Sequence, residues 1–315
     1  MNIKKLSASF MLCIFLFFLC SCSNLEPPKG VATNTQTPEI YFEASHGIDG
    51  FDVLTDSLSF NGDPIQLSYK FSNGYVASNY GLMLFLDGVL QPYYTDSDTE
   101  YKYMHIFRLE ADAEETFQIS FYPIATENKI APLHLVAVYD ADTAFESATL
   151  GIPFWQTPSQ AYPATVELQS NTPEINSHDM AIDFNNAYDF IIDFLSEEAI
   201  PADSSQKNLT IEDNTNNLTF NREFNLHIVG RDEGSTIYRI YAFVNNEPVL
   251  VNGERWFDLE VESNMQYTML GSIKKLSEKQ LETETTFYLL AVPLHSVNEN
   301  TNGVSILKSK SYLVT

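Results

Sequence analysis

The chain has 315 residues, of which 17 are Lys or Arg and 42 are Asp or Glu, so its formal net charge is −25. This charge excludes nucleic acid as the main partner, because a phosphate backbone is bound through clustered basic residues and the sequence has no such cluster. Hydrophobic residues make up 44% of the chain, which excludes a disordered protein, and the 22 Phe and 17 Tyr favour strands. At roughly 100–200 residues per domain, the length predicts two domains.

All three cysteines fall within the first 22 positions, at Cys13, Cys20 and Cys22. The sequence beyond Cys22 therefore has no residue that could form a disulfide, act as a thiolate nucleophile or bind a metal through sulfur.

The amino terminus has the layout of a secretory signal. Lys4 and Lys5 precede an almost wholly apolar run over residues 6–19, which is shorter than the roughly 20 residues that a transmembrane helix needs. The next residues, Leu19-Cys20-Ser21-Cys22, resemble the lipobox of bacterial lipoprotein signal peptides. The resemblance implies that residues 1–21 are a signal peptide and that Cys22 becomes the acylated first residue of the mature protein, carrying palmitate-type chains. An uncleaved signal anchor is the alternative.

A lipid anchor at Cys22 would hold the protein on the outer side of a bacterial cell membrane, because two or three acyl chains give durable attachment. Where two membranes are present, Ser23 after the cysteine resembles the pattern of outer-membrane lipoproteins. Residues 22–37 are polar, contain Pro27-Pro28 and Gly30, and show no periodicity. We expect them to form a flexible tether.

From residue 38 onward, strand-like runs alternate with turn signals. Residues 65–71 alternate between apolar and polar side chains, and Asp87-Gly88 inside residues 81–90 is a strong signal for a type I′ hairpin. Strand-like runs follow at residues 117–122 and 133–139. In the second half such runs occupy residues 218–229, 237–244 and 286–292, and Asn245-Asn246 occupies the place of Asp87-Gly88.

Short motifs recur in the same order in both halves, which suggests an internal repeat. The matched segments are TPEI at 37–40 and 172–175, LSFN at 58–61 with LTFN at 218–221, FLDGVLQP at 85–92 with FVNNEPVL at 243–250, and LHLVAVY at 133–139 with FYLLAVP at 287–293. The simplest account is two diverged copies of one domain, at residues 38–170 and 171–315.

The spacing of strands and turns predicts an all-β protein of two tandem immunoglobulin-like β-sandwich domains. Since no cysteine pair joins the sheets, we expect aromatic side chains to fill their cores. Residues 179–198 fit either strands or an amphipathic helix, and an edge strand, a bend and then a second strand are favoured.

No GxSxG, HExxH, P-loop, GxGxxG or EF-hand pattern is present, so we predict a protein that is not an enzyme and has no resident cofactor. Acidic turns are candidate Ca²⁺ ligands because Ca²⁺ prefers hard oxygen donors, with solvated turns as the alternative. These candidates are Asp96, Asp98, Glu100, Asp140 and Asp142.

Three aromatic residues are candidates for stacking on a sugar ring: Tyr93, Tyr94 and Trp256. Core packing or contact between the domains is the alternative for Trp256. The sequence thus predicts a membrane-anchored surface lipoprotein that acts as a non-catalytic binding, adhesion or scaffold module of the envelope, with an unidentified protein or glycan partner. The alternatives are a carbohydrate-binding lipoprotein and an envelope hydrolase, which would need paired carboxylates in a cleft.

Overall fold

Every regular element in the described part of the chain is a β-strand, which confirms the all-β prediction. The computed structural model describes residues 45–74, 77–96, 98, 100–124, 128–139, 141, 159–160, 164–169, 184–194, 199–203, 209–212, 217–230, 234–276, 285–294 and 306–315. Residues Phe42–Thr315 group into one compact unit.

The first half forms two sheets that pack face to face. Its strands are Ser45–Ile48 (β1), Ser57–Phe60 (β2), Ile65–Ser72 (β3), Ser78–Leu86 (β4), Val89–Gln91 (β5), Tyr94–Thr95 (β6), His105–Leu109 (β7), Glu114–Phe121 (β8), Ile130–Tyr139 (β9), Ser159–Gln160 (β10) and Ala164–Leu168 (β11). One sheet has the order β1-β3-β8-β6, and the other has the order β2-β11-β9-β4-β5, with β7 added to β4 and β10 to β9.

The second half forms one continuous sheet that folds over its own core, so that its two portions stand as the two sheets of a sandwich. Its strands are Asn185–Phe194 (β12), Ile200–Pro201 (β13), Leu209–Glu212 (β14), Asn217–Leu218 (β15), Glu223–Val229 (β16), Ser235–Val244 (β17), Glu247–Val251 (β18), Phe257–Glu262 (β19), Met265–Lys275 (β20), Thr285–Pro293 (β21), Leu307–Lys308 (β22) and Tyr312–Val314 (β23). The order is β14-β16-β20-β12-β18-β17-β21-β23-β15, with β13 on β20, β19 on β17 and β22 on β21.

The two halves repeat the same pairing scheme. The run β1-β3-β8 corresponds to β14-β16-β20, and β2-β11-β9-β4-β5 corresponds to β15-β23-β21-β17-β18. In each half one strand pairs antiparallel in one sheet, β1 with β3 and β14 with β16, and the next strand pairs parallel with the last strand of that half, β2 with β11 and β15 with β23. Two sheets of this order make each half an immunoglobulin-like β-sandwich, and we call them the first and second sandwich. The predicted boundary between residues 170 and 171 lies outside the described residues.

The ambiguous segment 179–198 contains one strand, β12, over residues 185–194, which confirms strand rather than helix there. It is a single strand paired on both sides, so the expected edge strand, bend and second strand are wrong for these residues. This strand pairs antiparallel with β20 and parallel with β18, so it joins the two faces of the second sandwich. Its Phe190 ring is fully buried against Phe224 and Phe287, at centroid distances of 5.7 and 5.2 Å. Gly271 permits this packing, because a Cβ there would lie 2.8 Å from the Phe224 ring.

Both predicted hairpin turns are present. Asp87 and Gly88 have φ angles of 51° and 71°, and Asn245 and Asn246 have φ angles of 49° and 65°. Two consecutive left-handed residues define the type I′ turn, whose twist matches that of the flanking strands. Glycine and asparagine adopt this conformation at low cost, so the turns form where the sequence supplies them.

The central strands of both sandwiches are apolar on both faces, because a third core lies between the two sandwiches. In β4, Leu82, Leu84 and Leu86 face the first sandwich's own core, while Met83 and Phe85 face the second sandwich. The residues of this shared core are Met83, Phe85, Leu90, Tyr103, Met104, Val136, Val138, Phe184, Tyr241, Phe243, Tyr288, Leu290, Val292 and Ile306. The shared core covers one sheet of each sandwich and leaves the opposite sheets facing outward.

Hydrogen bonds at the hairpin tips fix the register between the sandwiches. The Tyr241 hydroxyl donates to the Gly88 carbonyl oxygen at 2.7 Å and accepts from the Leu90 N–H at 3.2 Å. In the reverse direction, the Asn246 side-chain amide donates to the Ala141 carbonyl oxygen at 2.5 Å. Each hairpin therefore contacts the other sandwich, so the two halves meet through corresponding surfaces.

The predicted signal peptide, lipidation site and tether lie outside the described residues. Within the part of the chain that the structure describes, no helix has the length and hydropathy needed to cross a bilayer.

Candidate binding surface

The segment after β5 crosses from one sheet of the first sandwich to the other, and this crossing separates two neighbouring tyrosines. Tyr93 points inward and has no exposed surface. Its hydroxyl donates to the Leu82 carbonyl oxygen at 2.7 Å, and its ring lies 4.4 Å from the His105 ring. Tyr93 is therefore a core residue, which corrects its placement among the exposed aromatic candidates.

Tyr94 faces the other way, because side chains alternate along a strand and both Tyr93 and Thr95 are buried. Its ring meets the ring of Tyr101 edge to face at a centroid distance of 5.0 Å. Burial raises the pKa of Tyr101, and the nearby phenols of Tyr94 and Tyr122 raise it further. All three side chains are only partly buried. We call Tyr94, Tyr101 and Tyr122 the tyrosine patch.

A buried hydroxyl lies beneath the tyrosine patch. Ser120 is the cross-strand partner of Tyr94, and it stands between the core residues Ile119 and Phe121, so its side chain points outward. Ser120 is nevertheless only 6% exposed, and its hydroxyl has no hydrogen-bond partner among the described residues. An unsatisfied buried hydroxyl costs stability. A ligand atom that formed a hydrogen bond with this hydroxyl would remove that cost.

The acidic turn next to the patch is organised by Asp98. Its carboxylate accepts hydrogen bonds from Thr95 at 2.9 Å and from His105 at 2.8 Å, and it lies 3.6 Å from the Lys102 ammonium. Partial burial disfavours ionisation of Asp98, but the Thr95 hydrogen bond and the charges of His105 and Lys102 together lower its pKa. Burial lowers the pKa of His105, against the opposing effects of the Tyr93 carbonyl and Asp98.

These contacts bear on the predicted Ca²⁺ ligands. Asp98 is engaged by protein partners, whereas Asp96 and Glu100 are exposed, and Asp140 and Asp142 lie outside the described residues. Within the described ranges, no group of three His, Cys, Asp or Glu side chains is placed to hold a metal ion. The Ca²⁺ site stays a prediction.

Trp256 belongs to the contact between the sandwiches. Its ring packs on the shared core, 5.7 Å from the Tyr241 ring, and the Arg239 guanidinium covers it at 4.4 Å. A ring stacked under a cation does not offer an open face to a sugar. The inter-domain alternative for Trp256 therefore replaces its placement as a stacking residue.

A concave surface lies on the second sandwich. This open cleft of about 620 Å³ has an apolar floor of Leu218, Phe224 and Leu270 and a charged rim that includes Glu212, Arg222 and Glu223. It contains two carboxylates, which is the minimum that the hydrolase alternative would require. Both glutamates are exposed, however, and the hydrolase alternative stays a prediction.

Sequence reasoning found Tyr94 but missed Tyr101, Tyr122 and Ser120. These residues lie up to 28 positions apart in the chain. Only the pairing of β6 with β8 brings them together, and this pairing covers just two residues of each strand. The tyrosine count alone gave no indication of which rings would meet.

Comparison with known proteins adds no functional identity. No protein-family model matches the sequence, and no curated protein matches it either. Among solved structures, the chain is similar to red sea bream transglutaminase at 6% identity and a TM-score of 0.24, over 87% of this chain and 31% of the transglutaminase chain. This chain thus spans less than a third of that enzyme.

Two further similar structures contain chaperones. The YadV chaperone matches at 6% identity and a TM-score of 0.22, over 86% of this chain and 98% of its own. The Salmonella enterica SafA pilin in complex with the SafB chaperone matches at 11% identity and a TM-score of 0.24, over 86% and 96% of the two chains. Scores this low carry no functional argument, and the assignment of the fold rests on the strand pairing described above.

Proposed function

We propose that the protein is a lipid-anchored, non-catalytic binding module on the outer side of a bacterial membrane. Its two sandwiches would serve as an adhesion, scaffold or ligand-capture unit held away from the membrane by residues 22–37. The observation that carries the binding function is the tyrosine patch, a partly exposed aromatic surface set over the unpartnered Ser120 hydroxyl. Tyrosine is enriched in binding surfaces because it combines a large apolar ring with a polar end.

The proposal that the module lacks catalytic activity is supported by the absence of the usual catalytic motifs from the sequence. The acidic composition counts against nucleic acid as a partner, because like charges repel a phosphate backbone. Envelope association is supported by the Lys4-Lys5 pair, the apolar run and the Leu19-Cys20-Ser21-Cys22 segment.

Metabolic labelling tests the anchor. Cells that express the full chain are grown with labelled palmitate, and the protein is compared with its Cys22→Ala and Cys20→Ala variants. We expect label on the unmodified chain and on Cys20→Ala, and none on Cys22→Ala. Label that survives in Cys22→Ala would contradict lipidation at this residue.

Cross-linking in intact cells tests the binding surface. The full chain is compared with Tyr94→Ala and with Tyr267→Ala, which removes a half-buried tyrosine of the second sandwich. We expect the Tyr94 substitution to remove cross-linked envelope material and the Tyr267 substitution to leave it unchanged. Equal cross-linking in all three proteins would show that the tyrosine patch is not the binding surface.

A further inference from the structure

We propose that the tyrosine patch binds neutral glycans, an assignment that rests on the proposed function of the patch as the protein's binding surface. Three features of the described residues support this ligand class: the aromatic rings, the neutral hydrogen-bonding groups around them and the charge of the adjacent turn.

The rings supply the apolar part of the site. Tyr94 and Tyr101 meet edge to face, so they form an angular surface rather than one flat platform. The C–H face of a pyranose ring is apolar and flat, and it packs on an aromatic face in the way that another apolar ring does. Two rings at a steep angle can contact one sugar on its face and on its edge. Tyr122 follows the end of β8 and supports the patch from beside it, since it packs partly against the core of the first sandwich.

The hydrogen-bonding groups around the rings carry no charge. The Ser120 hydroxyl lies between Tyr94 and Gln66, which are its partners on the two neighbouring strands. On the same outward face, the Gln118 side-chain amide donates to the Ser68 hydroxyl at 2.8 Å. Hydroxyl and amide groups both donate and accept hydrogen bonds, as sugar hydroxyls do. A sugar hydroxyl would satisfy Ser120, whose own hydroxyl has no partner among the described residues.

The charge beside the patch selects against acidic ligands. Asp96 and Glu100 are exposed on the adjoining turn, and the nearby Lys102 ammonium is paired with the Asp98 carboxylate. The whole chain adds a net charge of −25. Uronic-acid or sulfated glycans would therefore be repelled, whereas neutral glycans would not.

Affinity electrophoresis of the full chain in detergent tests the proposal. The gels contain one polysaccharide each: starch, β-1,3-glucan, mannan or xylan as neutral probes, and polygalacturonate as the acidic probe. We expect at least one neutral probe to retard the protein and polygalacturonate to have no effect. For a retarding probe, Tyr94→Ala and Tyr101→Ala should each weaken binding about tenfold, because each removes one aromatic contact.

Two variants separate ligand contact from damage to the fold. Ser120→Ala removes an unsatisfied hydroxyl, so it should leave the melting temperature unchanged or raised while it weakens binding about fivefold. Tyr94→Phe keeps the ring and should bind within about twofold of the unmodified protein. The matched control is Tyr267→Ala, which should bind normally.

The outcomes distinguish this proposal from the proposed function. If no neutral probe retards the protein but Tyr94→Ala still abolishes cross-linking in cells, the glycan assignment is overturned and a protein partner takes its place at the same surface. If a neutral probe retards all variants equally, glycan binding occurs elsewhere on the protein. Equal retardation by polygalacturonate would overturn the selectivity for neutral ligands.

Discussion

At the scale of single residues, buried polar groups decide how the stability of this protein changes with mutation and with pH. Tyr241 and Tyr288 both lie in the shared core and are both wholly buried, and burial raises the pKa of each. They differ in their hydroxyl contacts. Tyr241 bonds to Gly88 and Leu90 of the first sandwich, whereas the Tyr288 hydroxyl has no partner among the described residues.

This difference makes the two tyrosines a matched pair for mutation. Tyr241→Phe leaves the Gly88 carbonyl and the Leu90 N–H buried without their partner, so we expect a loss of about 1–3 kcal/mol in the free energy of unfolding. Tyr288→Phe removes a hydroxyl that bonds to none of the described residues and should be neutral or stabilising. Urea unfolding of the two variants gives both values, and equal losses would contradict the assigned role of the Tyr241 hydroxyl.

His134 gives the protein a defined response to acid. Burial lowers the pKa of its imidazole from 6.5 to about 4, so the folded state binds this proton less readily than the unfolded state does. The contribution of the neutral imidazole to stability is complete above pH 6.5 and is lost as the pH falls toward 4, for a total of about 3 kcal/mol.

We therefore expect His134→Gln to lose less stability on acidification than the unmodified protein. The measurement is the free energy of unfolding at several pH values between 4 and 7.5, with the two proteins compared at each. Parallel curves across this window would exclude His134 as the source of the acid response.

At the scale of secondary-structure elements, the hairpin at Asp87-Gly88 has two roles. It reverses the chain between β4 and β5, and it contacts the second sandwich through Gly88, where an added Cβ would collide with Leu294. Gly253 has a similar positive φ of 78° but open space around the position of its Cβ. The stability costs of alanine at these two positions therefore distinguish backbone strain from contact between the sandwiches.

Gly253→Ala should cost about 1 kcal/mol, which is the strain of a left-handed alanine. Gly88→Ala should cost about 2 kcal/mol, because the Leu294 side chain must move aside in addition to the same strain. Thermal and urea unfolding of both variants measure the difference. Equal costs would mean that the hairpin tip does not press against the second sandwich.

The elements also show how far sequence reasoning reaches. The two turns could be predicted because Asp-Gly and Asn-Asn tolerate left-handed conformations and here stand between two strand-like runs. The type of β12 could not be settled, because its strand partner β20 lies about 80 residues along the chain and only that pairing distinguishes strand from helix. Which of Tyr93 and Tyr94 is buried could not be predicted for the same reason, since the register of β6 on β8 decides it.

One signal of the shared core was present in the sequence. Residues 82–86 and 240–244 are unbroken apolar runs. In an antiparallel strand with one face in solvent, apolar residues alternate with polar ones. Such runs indicate strands covered on both faces. They do not indicate what covers them, so the packing of Trp256 on the shared core, beside Tyr241 and Arg239, required the structure.

At the scale of the whole molecule, the repeat and the shared core belong together. Corresponding strands of the two sandwiches supply the contact, with Phe85 and Phe243 at matching positions before the two hairpins. Each copy therefore buries the same sheet against the other, as the subunits of a symmetric dimer do. The outward sheet of the first sandwich carries the tyrosine patch, so fusion of the sandwiches leaves the candidate binding surface accessible.

The central claim is that the two sandwiches are one cooperative body, and differential scanning calorimetry of the full chain tests it most directly. A large apolar contact couples the stabilities of the parts that it joins, so we predict a single transition whose calorimetric and van't Hoff enthalpies agree. Tyr241→Phe should move that whole transition to lower temperature. Two separate transitions, only one of which responds to Tyr241→Phe, would contradict the account.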